Sequence, residues 1–375
     1  MVLIPRHRAN SASLSMSSSG SIVPCPTFRK PFIRHNNPIT PTNKLKGFFA
    51  GSGSDSMSNP YMARAVVDLV DCSSPRDVSL LYIGTASYDI PKFRRNQTNA
   101  FIDLGCDVTS LDVANQRPDR DEMEEAVDNA DIILVSGGNT LYALDRWRYL
   151  GLDDLLRTAA ERGTVMAGGS AGAICWFDSG HSDSADPETY RLYKLDKFKD
   201  GEPEKKAGSN NNPFAYYSGN AQEGDSKEDW SYIKVEGLGI WPGMVCPHYD
   251  RIQSNGSPRM DDFDRMLEQF GQYELGLGID HNAALEVNGD EFRVVSIPGE
   301  PGSVPVSNNE EENGTTFVPG VWLKYVDEKG DVQKRVCPRS GSLSDLLQEV
   351  NDPEKHILLD ERVDLCRKEN PLLRD

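Results

Sequence analysis

The chain has 375 residues, 38% of them hydrophobic and 26% charged, with a formal net charge of −18. That length can bury a substantial core in one large domain or two smaller ones, and so acidic a composition argues against nucleic acid and anionic membrane as partners. No apolar run approaches the roughly 20 residues needed to cross a bilayer, and seven cysteines without a C-x-x-C pair predict free thiols in a reducing compartment.

The first 46 residues carry Arg6, Arg8, Arg29, Lys30, Arg34, Lys44 and Lys46, many serines and no acid before Asp55. An Arg- and Ser-rich, acid-free leader reads as an organelle transit peptide, with a disordered tail as the plain alternative. Without it 33 basic and 58 acidic residues remain, a net charge of −25. The expected location is cytoplasmic, or organellar (plastid or mitochondrion) if the leader is a transit peptide.

From Leu45 the pattern changes. Leu45–Ala50 predicts a short strand running into the Gly/Ser turn Gly51-Ser52-Gly53, and Met62–Val70 predicts an amphipathic helix. Val78–Ala86 reads as a buried strand, Phe93–Leu104 as a helix, Asp107–Leu111 as a strand and Asp121–Ala130 as a helix. Asp131–Val135 is a strand that ends in Ser136-Gly137-Gly138-Asn139-Thr140; Leu141–Tyr149 and Leu152–Glu161 follow as helices. Strands that alternate with helices and are nearly continuous in apolar residues predict a mostly parallel sheet with helices on both faces. In such sheets the ligand sits outside the carboxyl ends of the strands.

The next strand ends in Gly168-Gly169-Ser170-Ala171-Gly172-Ala173. This is the layout of a nucleophile elbow, which holds a serine hydroxyl out at a strand end and starts a helix behind it. The helix N-terminus offers unpaired N–H groups where an oxyanion would form. The glycines at Gly137-Gly138 can supply the second donor. No G-x-G-x-x-G fingerprint or phosphate loop occurs.

A serine needs a base. His248, in Cys246-Pro247-His248-Tyr249-Asp250 at the end of an apolar strand, is the best placed of His181, His248 and His281. His281 follows the strand Leu275–Ile279 in Gly278-Ile279-Asp280-His281-Asn282-Ala283-Ala284-Leu285.

Taken in order, S-G-G-N-T, G-G-S-A-G-A, C-P-H-Y-D and G-I-D-H-N-A-A-L closely resemble the S51 serine peptidases, which include peptidase E and cyanophycinase. The resemblance runs from about Leu45 to Val287. It implies an α/β fold like that of class I glutamine amidotransferases, here with a small β-rich C-terminal extension. It implies Ser170 as nucleophile, His248 as general base, and Gly138 and Ala171 N–H groups as oxyanion donors. The orienting glutamate of the family is missing: His281 stands at its place and Asp280 beside it, and both are retained for that role. The resemblance further implies hydrolysis of short peptides, dipeptides with N-terminal Asp foremost, through an acyl-enzyme. Arg259 would meet the substrate carboxylate, with Asn139 and Asp183 as further substrate contacts. The alternatives are hydrolysis of an aspartate-linked polymer, as by cyanophycinase, and a non-catalytic binding protein on the same fold. No cofactor and no metal are expected. The expected partner is a small peptide substrate, and the expected assembly a homodimer.

The domain reading is a leader at 1–44, a hydrolase domain at 45–330 with an insertion or lid at 186–231, and an extension at 331–375. Phe292–Ile297 and Phe317–Tyr325 read as strands around a loop at Asn308–Asn313, and Ser342–Glu349 as a helix.

Overall fold

The computed structural model describes residues 44–186, 189, 230–270, 275–307, 315–327 and 329–350. Nearly all of the proposed leader, most of the proposed lid, the Asn308–Asn313 loop and the tail beyond 350 lie outside these residues.

Lys46–Ala50 (β1) leads through Ser54–Met57 (α1) and Pro60–Val67 (α2) to Ser79–Ile83 (β2). Pro91–Leu104 (α3), Asp107–Ser110 (β3), Arg120–Asp128 (α4), Ile132–Val135 (β4), Thr140–Leu150 (α5) and Leu152–Arg162 (α6) bring the chain to Val165–Gly169 (β5) and the one-turn helix Ala171–Ile174 (α7). Apart from α1, which the sequence reading did not include, these elements match that reading to within a few residues at each end. Local chemistry explains their starts. Asn59 caps α2 by accepting the Tyr61 N–H at 2.9 Å. Asp119 and Glu122 form a reciprocal capping box at the head of α4.

The first-half strands β1-β5-β4-β2-β3 are all parallel. Their side chains alternate between two cores. Phe49, Ile133, Val135 and Met166 enter the larger one, while Phe48, Ala50, Ile132, Leu134, Val165 and Ala167 enter the one under α2 and α3. Period-two alternation with both faces apolar is what a sheet covered on both sides requires.

The second half departs from a mostly parallel arrangement. Phe177–Ser182 (β6), Ile233–Glu236 (β7) and Trp241–Cys246 (β8) precede the helix Arg259–Phe270 (α8), which leads to Gly276–Ile279 (β9), Ala283–Asn288 (β10) and Glu291–Ser296 (β11). Strands β10 and β11 extend the first sheet antiparallel on the β1 side. Only Gly289 and Asp290 separate them, and a two-residue link can join antiparallel strands alone. Val304–Ser307 (β12) and Thr315–Val318 (β13) form a two-stranded ribbon. Val321–Val326 (β14), Val332–Val336 (β15), Ser340–Ser342 (β16) and Leu343–Val350 (α9) complete the described chain.

The predicted single strand Phe317–Tyr325 is broken at Pro319-Gly320, where proline removes a ladder donor. The strands beyond 300 are not all an appendage. β14 pairs with β9, β15 pairs with β14, and β16 joins the first sheet beside β11. A boundary at 330 would therefore cut between paired strands. The fold is a mixed α/β architecture with an eight-stranded and a six-stranded sheet.

Candidate active site

The carboxyl ends of β1, β2, β4, β5, β8 and β9 open into one cleft. Its empty volume, counting the solvent at its mouth, is ≈ 680 Å³. Ser170, His248, His281, Gly138, Asn139 and Asp183 all line it. Residues 78 apart in sequence, Ser170 and His248, thus face the same space.

Close backbone packing builds the cleft floor. A Cβ on Gly169 would lie 1.8 Å from the Ser52 carbonyl oxygen, so only glycine lets β5 end against the turn after β1. Gly138 has φ +132°, and a Cβ there would lie 2.2 Å from the Ala86 carbonyl oxygen. Ser170 follows with φ 57° and ψ −119°, its N–H donating to the Ala50 carbonyl at 3.1 Å. Among the described residues four non-glycine residues take positive φ: Tyr88, Asp89, Ser170 and His248. Three of them, Tyr88, Ser170 and His248, line the cleft. Strained backbone costs on the order of 1–3 kcal/mol per residue and persists where the surroundings over-determine it.

The Ser170 hydroxyl makes no hydrogen bond to another described residue, so it faces the cleft uncommitted. The backbone N–H groups of Gly138 and Ala171 are likewise without an acceptor among the described residues. Ala171 itself is fully buried at the first position of α7.

His248 is 3% exposed. Its Nδ1 lies 2.9 Å from His281 Nδ1, and His281 Nε2 lies 2.9 Å from the Asp55 carboxylate. Burial first, then the neighbouring His281, Arg259 and Arg251, hold the His248 imidazole well below its usual range. It is therefore neutral at neutral pH, as a proton acceptor must be.

The Asp280 carboxylate is engaged away from His248: it accepts the Ser303 N–H at 2.8 Å, the Ser303 hydroxyl at 2.7 Å and the Gly320 N–H at 3.0 Å. Burial and the nearby Asp250 push its carboxyl up to about 7 against those three donors. It ties the loop after β9 to the start of β14.

Two expected substrate contacts are also spent on the protein. The Asn139 side chain caps α5 through the Tyr142 N–H and donates to the Ser184 carbonyl at 3.1 Å and the Thr189 hydroxyl at 3.0 Å. Arg259 is fully buried at the head of α8 and does not line the cleft. Its guanidinium donates to the His181 carbonyl at 2.8 Å, to Gln253 at 3.0 Å and to Asp183 at 3.3 Å. Asp183 lines the cleft from its place between Arg259 and the Gln253 amide, which donates to it at 2.8 Å. Arg259→Met should leave that carboxylate buried with the Gln253 amide as its one remaining side-chain donor and cost about 3–5 kcal/mol in thermal or denaturant unfolding. A stable Arg259→Met protein with only a raised KM for acidic substrates would return the arginine to direct substrate contact.

Asp55, Tyr88, Phe93 and Gln97, which have no role in the sequence expectations, also line the cleft. Asp55 sits on α1, Tyr88 in the turn after β2, and Phe93 and Gln97 on α3. The Gln97 side chain accepts the Gly137 N–H at 3.3 Å. The position of Asp55 just past the Gly/Ser turn that follows β1 offered the one signal. Across the described lining residues there are two carboxylates, Asp55 and Asp183, and no lysine or arginine.

Residues 48–198 and 207–295 match the model of peptidase family S51. The match spans both glycine turns, Ser170, His248 and His281. The class is thus a peptidase, and the chain belongs to family S51. It is 40% identical over 141 residues to the uncharacterized peptidase YgaJ of Bacillus subtilis (strain 168), covering 37% of this chain and 59% of that protein. It is 28% identical over 328 residues to a Trypanosoma brucei brucei protein named G2/mitotic-specific cyclin-1, covering 82% of this chain and 89% of that one. A solved peptidase from an acI-B1 Actinobacterium aligns over 80% of this chain and 98% of its own, at 19% identity and a TM-score of 0.49.

Proposed function

We propose that this chain is a serine peptidase that hydrolyses short peptides through an acyl-enzyme on Ser170. The observation that carries the reading is the convergence in one cleft of a strained serine at a helix head, a buried histidine and the Gly138 backbone. In this mechanism the Ser170 oxygen attacks the scissile carbonyl carbon as its proton passes to His248 Nε2. The Gly138 and Ala171 N–H groups take the oxyanion, each donor worth on the order of 3 kcal/mol in the barrier. Collapse expels the amine, which receives the proton back from His248. Water, deprotonated by the same imidazole, then releases the acid and restores Ser170.

The likeness to class I glutamine amidotransferases belongs to this reading, since both place a nucleophile at such a turn. For substrate choice, the Asp183 carboxylate suits a free α-amine. An N-terminal Asp side chain would find carboxylates and no counter-charge among the described lining residues, while Tyr88 and Phe93 offer an apolar wall. The reading therefore favours short peptides whose first side chain is uncharged over Asp-Xaa dipeptides.

A fluorophosphonate probe should label the protein, and the label should disappear in Ser170→Ala and fall steeply in His248→Ala. A dipeptide panel with Ala, Leu, Asp and Lys in first position should be cleaved best with Ala or Leu. Best cleavage of the Asp series would overturn the substrate preference; absence of both label and turnover would overturn the peptidase mechanism.

A further inference from the structure

Resting on the serine peptidase reading, we propose that Asp55 and His281 act together in place of a carboxylate behind His248. Asp55 holds His281 in the tautomer whose Nδ1 accepts the His248 Nδ1–H, and His248 in consequence keeps a basic Nε2 available for Ser170, which lines the same cleft. His281 and Asp55 are positioning residues, since both act through His248.

Hydrogen-bond arithmetic leads to this assignment. Two imidazole nitrogens 2.9 Å apart share one proton. If His281 Nδ1 carried it, a neutral His281 would oppose a bare Nε2 lone pair to the Asp55 carboxylate, also at 2.9 Å. His248 would then accept at Nδ1 and carry its own proton at Nε2, where it could take nothing from serine. With the proton on His248 Nδ1 and on His281 Nε2, both of these contacts pair a donor with an acceptor. A doubly protonated His281 would also disable the base, because His248 Nδ1 would again have to accept.

The fold holds this chain of groups in place from both ends. The His281 backbone N–H donates to the Asp250 carboxylate at 2.7 Å, and the ring is 2% exposed. Asp55 lies on α1. The Ser52 hydroxyl accepts the Ser56 N–H at 3.1 Å at the head of that helix, and the Ser56 hydroxyl donates to the His281 carbonyl at 3.4 Å. The helix that carries Asp55 is thus tied to the residue it addresses. The charged and titratable groups facing the pair are Asp55 from α1, Asp250 and Arg251 from the loop after β8, and Arg259 from α8. Asp55 is the carboxylate that meets an imidazole nitrogen of the pair.

The test uses the full chain and a peptide it cleaves. Asp55→Ala should lower kcat/KM by about 10- to 100-fold, the usual cost of losing a group that orients a functional histidine. His281→Glu places a carboxylate directly behind His248. In that background the further loss on Asp55→Ala should shrink to less than about threefold, because paired residues acting as one unit are non-additive. Asp55→Ala that keeps wild-type kcat/KM overturns the proposal. So does an undiminished loss in the His281→Glu background, which would mark Asp55 as a support for α1 only. Should His281→Glu fail to fold, nitrogen-15 histidine spectra of Ser170→Ala decide. The expected pattern is protonated His248 Nδ1 and His281 Nε2, both with bare partner nitrogens; the reverse pattern overturns the proposal. Failure of the underlying mechanism would be seen separately, as absence of fluorophosphonate label on the wild-type protein.

Discussion

Replacing Ser170 should abolish turnover by about four to six orders of magnitude, the usual loss when an activated nucleophile is deleted. Two replacements should differ in stability while being equally inactive. Ser170→Ala keeps a Cβ on a backbone held at φ 57°, ψ −119°, so the strain remains. Ser170→Gly removes the Cβ clash and should be the more stable of the two by about 1–3 kcal/mol in denaturant unfolding. The comparison isolates the conformation from the chemistry, since both variants lack the hydroxyl. If the glycine variant melts below the alanine variant, the turn is not strained and the nucleophile-elbow account of Ser170 fails.

Gly169→Ala should have the largest effect on folding of any single methyl added near the cleft. The new Cβ would sit 1.8 Å from the Ser52 carbonyl oxygen and 2.6 Å from its carbon. Both neighbours are backbone and cannot rotate away as a side-chain tip would. The strand pair must separate, since Phe49 and Ala50 of β1 lie in register with Gly168 and Gly169 of β5. A loss of about 3–5 kcal/mol is expected from such overpacking, read as a lowered Tm. Because Ser52 also heads the helix that carries Asp55, whatever protein folds should be catalytically impaired beyond its loss of stability. A Gly169→Ala protein with wild-type Tm and activity would show that β1 and β5 are not packed this closely.

Much of the site was legible before any coordinate. The G-G-S-A-G-A run announces a strand, a glycine turn and a helix head, because each residue there answers a local steric demand. The alternation that predicts β1, β4 and β5 is equally local: side chains two apart share a face, so apolar residues on successive positions signal a sheet covered on both sides. His248 could be singled out because it ends an apolar run. These inferences survive since nothing distant is needed to make them.

Other assignments depended on which chains of atoms meet in space. Asp280 and His281 are neighbours in sequence, and either could have backed His248. Their opposite directions became clear only when Ser303 and Gly320 were seen to occupy the Asp280 carboxylate. Asp55 gives no sign of its partner, because His281 lies 226 positions further along the chain and is brought near by β1 and β10 pairing side by side. Arg259 reads as a substrate contact, yet tertiary packing buries it against Asp183 and the His181 carbonyl. Local sequence sufficed for the strands β1 to β5, for the place of the serine turn and for the histidine that ends a strand. Only the packing of distant elements shows that the carboxylate meeting His281 is Asp55 and that Arg259 points into the core. The physical reason is that backbone conformation is set by neighbouring residues, whereas a hydrogen bond between side chains is set by the packing of whole elements.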